Sequence, residues 1–242
     1  MSDAIERIEN PEATSRENLA WHLARYRFAA SLTSGGDRVL DAATGIGYGV
    51  REIAEAGGRV VACDVARDAL GIARARREPA SFFAADLHRV PCADASMNGV
   101  VAFEVIEHLR EPAAFLDEVV RLLAPGGWFV VSTPNPAFEV DNPFHEHELP
   151  LREFTALLTA RFSSVLLMGQ SWSASMAPAG AGSRLRDLDR WGLRKVLPQS
   201  VRDRLRSAWR ADGASVTHAD LERAAVRTLP LEDANPYVAL CR

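Results

Sequence analysis

Val39-Leu40-Asp41-Ala42-Ala43-Thr44-Gly45-Ile46-Gly47-Tyr48-Gly49 is the stretch whose reading decides the fold. An apolar run, Arg38 to Ala42, carries an acid near its end and passes into three glycines at alternate positions, after which Val50 to Ala56 reads as a helix. Strand, glycine loop and helix in that order open an α/β sheet, and the glycines permit positive φ and a close approach of ligand to backbone. The glycines alone leave the ligand undetermined. A dinucleotide fingerprint starting at Gly45 would place its last small position on Val50, where a β-branched side chain obstructs close helix–strand contact. Asp41, ahead of the glycines, suits a cationic group lying across the loop better than an anionic pyrophosphate.

The same alternation continues outward. Arg59 to Asp64 and Ser81 to Ala85 read as the second and third strands, with a helix from Arg67 to Arg77 between them. Gly99 to Phe103 is the fourth strand and Pro112 to Leu123 the next helix; Trp128 to Ser132 is the fifth strand, after a turn at Pro125-Gly126-Gly127. All five strands are apolar throughout, as expected of strands covered on both faces by helices. Leu151 to Ala160 reads as a helix, with Ser164 to Met168 and Tyr237 to Cys241 as the last two strands. Upstream, Ser15 to Leu32 reads as a helix with Leu19, Leu23, Tyr26 and Ala30 on its apolar side, stopped by Gly35 and Gly36. Its aromatic residues fall on two faces, Trp21 with Phe28 and His22 with Tyr26.

Two further acids end strands. Asp64 closes VVACD, placed to accept hydrogen bonds from two ribose hydroxyls, and Asp86 follows FFAA, placed to accept from an adenine amino group. With Asp41 these three describe a cationic nucleoside ligand.

At this point the chain resembles the class I S-adenosylmethionine-dependent methyltransferases, especially their ubiquinone-biosynthesis-like branch. The resemblance is carried by VLDAATGIGYG, VVACDVA, AADLHRVPCADASMNGVVAFEVIEHL and LLAPGGWFVVSTPN, about Arg38 to Asn135. It implies a Rossmann-like, seven-stranded, mostly parallel sheet with helices on both faces, an N-terminal helix and a helical lid inserted before the last strand. It also implies that Gly45 and Gly47 approach the methionyl part, that Asp64 holds the ribose, that Asp86 and Leu87 meet the adenine, and that Phe103 lies beside the cofactor, with Ala43 and Val65 also among the cofactor-binding residues. In such enzymes the N-terminal helix folds over the cofactor, which makes Tyr26 a candidate for its carboxylate or for the acceptor. Thr44 stands where Cys or Gly is more usual, and Asn98 where Asp is.

The expected division is a helical cap over 1–36, the cofactor-binding core over 37–172, a lid over 173–235 and the last core strand over 236–242. Within the lid, Arg184 to Arg210 holds nine basic and three acidic side chains, a solvated helix face or a surface for an anionic substrate.

Methyl transfer needs a desolvated pocket and an acceptor in line with the sulfonium; a hydroxyl acceptor also needs a base. His145, in Asn142-Pro143-Phe144-His145-Glu146-His147-Glu148 beyond the fifth strand, is the first candidate base, and loop anchoring is its structural alternative. Glu107 and His108 of IEHL, where His108 is expected to start a helix, are second candidates, with helix-start electrostatics as the structural alternative. His145, His147 and Glu148 invite a metal reading as well, but no further ligand is evident in the sequence and no metal is expected.

With 242 residues, 48% hydrophobic, the chain can bury one core, and its net charge of −4 gives no general attraction to nucleic acid. The first residues carry acids and no apolar run, and no stretch is long enough to span a bilayer, so a cytoplasmic protein is expected, with Cys63, Cys92 and Cys241 reduced. The expected reaction is methyl transfer to an oxygen or nitrogen of a small molecule, which can be polar or anionic: a natural product, a sugar or nucleotide-sugar, or a quinol. A macromolecular methyltransferase and a non-catalytic cofactor-binding protein are the alternatives. A nucleotide-dependent oxidoreductase is disfavoured by Val50.

Overall fold

The computed structural model describes residues 15–138, 145–170, 224–228, 230, 231 and 234–242. Helix α1 (Arg16–Leu32) leads into β1 (Arg38–Ala42), α2 (Val50–Glu55), β2 (Arg59–Asp64), α3 (Arg67–Ala75), β3 (Ala80–Ala84) and β4 (Met97–Phe103). A single 3-10 turn, Ile106–His108, precedes α4 (Pro112–Leu122), β5 (Leu123–Thr133), α5 (Leu151–Thr159), β6 (Val165–Gly169) and β7 (Tyr237–Cys241). The sheet order is β3-β2-β1-β4-β5-β7-β6. Strands β1 to β5 run parallel, while β7 is antiparallel to both β5 and β6. This is the Rossmann-like, mostly parallel seven-stranded sheet expected.

Alternation along each strand sorts the core into two layers. Leu40, Ala42, Val100, Ala102, Phe129 and Val131 pack with Phe115, Leu116, Phe154 and Leu158 of α4 and α5. Val39, Val101, Phe103, Trp128 and Val130 pack with Tyr26 and Ala29 of α1 and Val50 and Ile53 of α2. The same alternation puts Asp41 on the α1 side. Strand order reverses between β1 and β4, so the crevice beyond their carboxyl ends is the place for a ligand.

Four details differ from the sequence expectations. The buried side of α1 is Ala20, Trp21, Ala24, Arg25, Tyr26 and Ala29, whereas Leu19, Leu23 and Ala30 are only partly buried. Small alanines let the helix approach its neighbours closely, and a buried arginine among them hides the face from a hydrophobicity pattern. Strand β3 lies at the sheet edge and is partly exposed, not covered on both faces. The glycine turn at 125–127 belongs to β5: Met97 pairs with Leu123 and Gly99 with Trp128, and the ladder shifts register between them. Gly126, at φ +78, accommodates that irregularity. Finally, His108 ends a 3-10 turn instead of starting a helix, and α4 begins four residues later at Pro112, where a proline costs no hydrogen bond.

Cys63 and Cys241 are buried, and all three cysteines are free thiols. No helix among the described residues is long and apolar enough to cross a membrane. The lid expected over 173–235, including Arg184 to Arg210, falls largely outside the described residues.

Candidate active site

Asp41 lies at the centre of the crevice, 1% exposed. Its Oδ2 accepts a hydrogen bond from Thr44 Oγ1 at 2.6 Å, and its two oxygens accept from Tyr26 Oη at 3.3 and 3.2 Å. Burial pushes its carboxyl up to about 7, the nearby Asp64 pushes the same way, and the Thr44 and Tyr26 hydrogen bonds oppose them. Tyr26 packs edge-on against Phe103, ring centroids 4.9 Å apart, and against Tyr48 at 5.6 Å. Its own hydroxyl is held far above its usual range, first by burial and then by Asp41.

The loop that follows is clamped to the next strand. Gly45 N–H donates to Asp64 Oδ2 at 2.8 Å, and Ala66 N–H, at the start of α3, donates to Oδ1 at 2.8 Å. Ala43, Gly45 and Gly47 all have left-handed backbones, φ +61, +56 and +72. A Cβ on Gly45 would meet nothing within 4 Å, so this residue faces open space. A Cβ on Gly47 would press on Phe82 and Ala73, and one on Gly49 would collide with the Tyr26 ring. Of the three loop glycines, only Gly45 has open space where a side chain would stand.

Tyr26, Asp41, Ala43, Gly45, Gly47, Asp64 and Phe103 thus form one connected group. Val65, beside Asp64, is 60% exposed, while Leu87 is buried in the core. Asp86 is exposed and stands apart; its Oδ1 is held by the backbone N–H of His88 at 2.9 Å and by its ring Nδ1 at 2.7 Å, which lower its carboxyl below the usual range.

A second group gathers beyond β4. Glu107, His108 and His145 bring a carboxylate oxygen and two imidazoles to within 4.8 Å of one another. Glu107 is buried, and its Oε2 accepts from Thr133 Oγ1 at 3.2 Å. Burial, followed by the neighbouring Glu104, holds its carboxyl well above the usual range. The backbone joins the two stretches: the Glu107 carbonyl accepts from the N–H groups of Glu146 at 3.0 Å and His147 at 3.1 Å. His147 itself points its Nε2 at the Arg110 carbonyl, 3.1 Å away.

Sequence reasoning passed over two residues here. Arg25 is wholly buried, donating to Gln170 Oε1 at 3.0 Å, lying 2.6 Å from His22 Nδ1 and 3.9 Å from Glu104 Oε1, with its guanidinium 5.9 Å over the Phe103 ring. Glu104 adopts φ +53, unusual for its type, and accepts from Ser132 Oγ at 2.9 Å. A signal existed for Arg25, a charge one position from Tyr26 on a helix already assigned to the site.

Comparison with known proteins gives the family. The family described as a methyltransferase domain matches residues 40–131. The chain is 38% identical over 199 residues to a probable S-adenosylmethionine-dependent methyltransferase of Mycobacterium tuberculosis, covering 77% of this chain and 69% of that one. It spans 65 to 69% of the length of the curated relatives that it matches over the longest stretches. It is also 36% identical over 102 residues to a demethylmenaquinone methyltransferase of Beutenbergia cavernae, covering 41% and 42% of the two chains. The crystal structure of an S-adenosylmethionine-dependent methyltransferase from Archaeoglobus fulgidus superposes with a TM-score of 0.62 at 17% identity, over 97% of each chain. The chain belongs to the class I S-adenosylmethionine-dependent methyltransferases.

Proposed function

We propose that this chain transfers the methyl group of S-adenosylmethionine to an oxygen or nitrogen of a small molecule. The observation that carries the reading is one juxtaposition. At the β1–β4 crevice stand the buried carboxylate of Asp41, the open left-handed Gly45 and the clamped Asp64, with Glu107, His108 and His145 gathered beyond β4.

The residues fit the cofactor. Gly45 offers bare backbone beside open space, so the methionyl part can lie against it and against the neighbouring Ala43. Asp41 supplies the negative charge for an ammonium. Asp64, whose oxygens accept the Gly45 and Ala66 N–H groups at the end of β2, is the acceptor for the ribose hydroxyls. Val65 gives an exposed apolar surface beside it, and the Asp86–Leu87 stretch follows β3 on the same edge of the sheet. Arg25, whose Nε is buried and unpaired among the described residues, is the cation for a carboxylate, with Tyr26 holding Asp41 and Phe103 packed beneath. When bound, the cofactor supplies an electrophilic methyl group on a positively charged sulfur.

The acceptor side belongs to Glu107, His108 and His145. They orient the acceptor and, for a hydroxyl, take its proton as the new bond forms; a neutral amine needs only the orientation. A net charge of −4 and a relative named for a quinone-type substrate support a small molecule over nucleic acid.

The test is a thermal shift and calorimetric titration with S-adenosylhomocysteine, followed by transfer from labelled S-adenosylmethionine to a panel of hydroxy and amino acceptors. Stabilisation by the product together with turnover on a member of the panel is expected. No response at saturating S-adenosylhomocysteine would overturn the cofactor reading. Tight binding without turnover on any acceptor would favour a binding protein instead.

A further inference from the structure

We infer that Glu107, His108 and His145 form a site for one divalent transition-metal ion on the acceptor side of the crevice. The inference rests on the acceptor-side reading given above. Two imidazoles and a carboxylate are the donor set of borderline first-row ions such as Zn²⁺ or Co²⁺ and can also hold the harder Mn²⁺ weakly, whereas Mg²⁺ and Ca²⁺ favour oxygen alone. The three ligand atoms lie within 4.8 Å of one another. Bonds of about 2.1 Å set such atoms roughly 3–4 Å apart, so small side-chain rotations close the set on an ion.

An independent observation points to a ligand. Glu107 is 2% exposed, and its Oε1 is buried with no hydrogen-bond partner among the described residues, while Oε2 is satisfied by Thr133. An orphaned buried acceptor costs about 1–3 kcal/mol, and natural structures rarely leave one without a purpose. A cation at Oε1 answers that lone pair and also relieves the repulsion between Glu107 and the adjacent Glu104 carboxylate. The frame for such an ion is already rigid. Hydrogen bonds from the N–H groups of Glu146 and His147 to the Glu107 carbonyl fasten the segment bearing His145 to the turn bearing Glu107 and His108. Glu107, Thr133, His145 and Leu149 border a cavity of about 10 Å³. That is close to the space one water needs, which is room for a single ion beside Glu107 and His145.

An ion there lowers the pKa of a bound acceptor hydroxyl. With the ion bound, the three side chains act as its ligands in place of taking the proton themselves; the hydroxyl proton leaves to solvent, the oxygen forms a bond to the methyl carbon, and the carbon–sulfur bond breaks with its electron pair remaining on sulfur as a neutral thioether.

The test needs no acceptor. Protein freed of metal with a chelator and then dialysed is titrated with Co²⁺, followed by visible absorption, and with Mn²⁺ and Zn²⁺ by calorimetry. One ion per chain is expected. Glu107→Gln and His145→Ala should each abolish binding, and His147→Ala should retain it. Thr133→Val, which removes the hydrogen bond to Oε2, should weaken binding about 10–100-fold. A thermal shift with S-adenosylhomocysteine, run on the metal-free protein and on every variant, reports separately on folding and on the cofactor half. Loss of that response alone would fault the cofactor reading, not the metal site. The metal site is overturned by a wild-type protein that responds to S-adenosylhomocysteine yet binds no transition ion, by binding that survives both substitutions, or by binding of Mg²⁺ alone.

Discussion

A Cβ built on Gly49 would stand 2.2 Å from Cε2 of Tyr26. The third glycine of the loop is therefore required by the protein's own N-terminal helix, not by a ligand, and Tyr26 can reach Asp41 only because position 49 has no side chain. Gly45 is the converse, with a left-handed backbone and open space above it.

Alanine at these two positions should separate folding from binding. Gly49→Ala forces the Tyr26 ring to move and is expected to cost about 1–3 kcal/mol in chemical denaturation, as overpacking does. In a Tyr26→Ala background most of that penalty should vanish, which a double-mutant cycle will read. Gly45→Ala carries only the strain of positive φ, about 1–2 kcal/mol, but sets a methyl group where the methionyl part is proposed to lie. Its loss of S-adenosylhomocysteine affinity should exceed its loss of stability.

Asp41 should make stability depend on pH in an unusual direction. Its folded carboxyl sits at about 7 against an unfolded value of 3.8, chiefly through burial. Between those values the folded chain holds a proton that the unfolded chain has released. Its contribution is therefore fully present below the unfolded value and is lost as pH rises to about 7, at up to about 1.4 kcal/mol per unit. Denaturation midpoints of the unliganded protein from pH 4 to 8, compared with those of Asp41→Asn, check this; the variant should lack the decline.

Asp64 should matter twice. Asp64→Ala leaves the Gly45 and Ala66 N–H groups without their acceptor, a loss of about 1–3 kcal/mol for groups that stay buried. It should also weaken S-adenosylhomocysteine about tenfold or more by calorimetry, since 1.4 kcal/mol is a factor of ten. Asp64→Asn keeps one acceptor oxygen and should fall between.

Arg25 should not tolerate lysine. Its planar fork meets Gln170 and His22 at once while lying over Phe103, a geometry a point charge cannot reproduce. Arg25→Lys and Arg25→Met are both expected to lower the melting temperature and to weaken S-adenosylhomocysteine, because each leaves Gln170 Oε1 without its partner.

The parts of the site that were legible in the sequence are those built by short-range chemistry. Asp41 and Asp64 show as acids at the ends of apolar runs, and β1, β2 and β7 have the boundaries that those runs suggest. The inner face of α1 was not legible, because alanines and Arg25 form it while leucines lie partly exposed. Glu107, His108 and His145 were each readable as candidates from residue type, but their meeting was not. It depends on backbone N–H groups of Glu146 and His147 finding the Glu107 carbonyl 39 and 40 positions back, and no side-chain pattern encodes that contact.

Gln170 has a consequence for how such a chain can change over time. Its buried side chain donates to the carbonyls of Trp21 and Ala224 and accepts from Arg25, while Gly169 pairs with Arg227 across the same gap. The chain that leaves the sheet at Gln170 and the chain that returns at Ala224 are therefore stitched to each other and to the first helix before anything between them is specified. A change at Gln170 must therefore satisfy three stretches of the chain at once, and this position can vary only where Trp21, Arg25 and Ala224 find another partner.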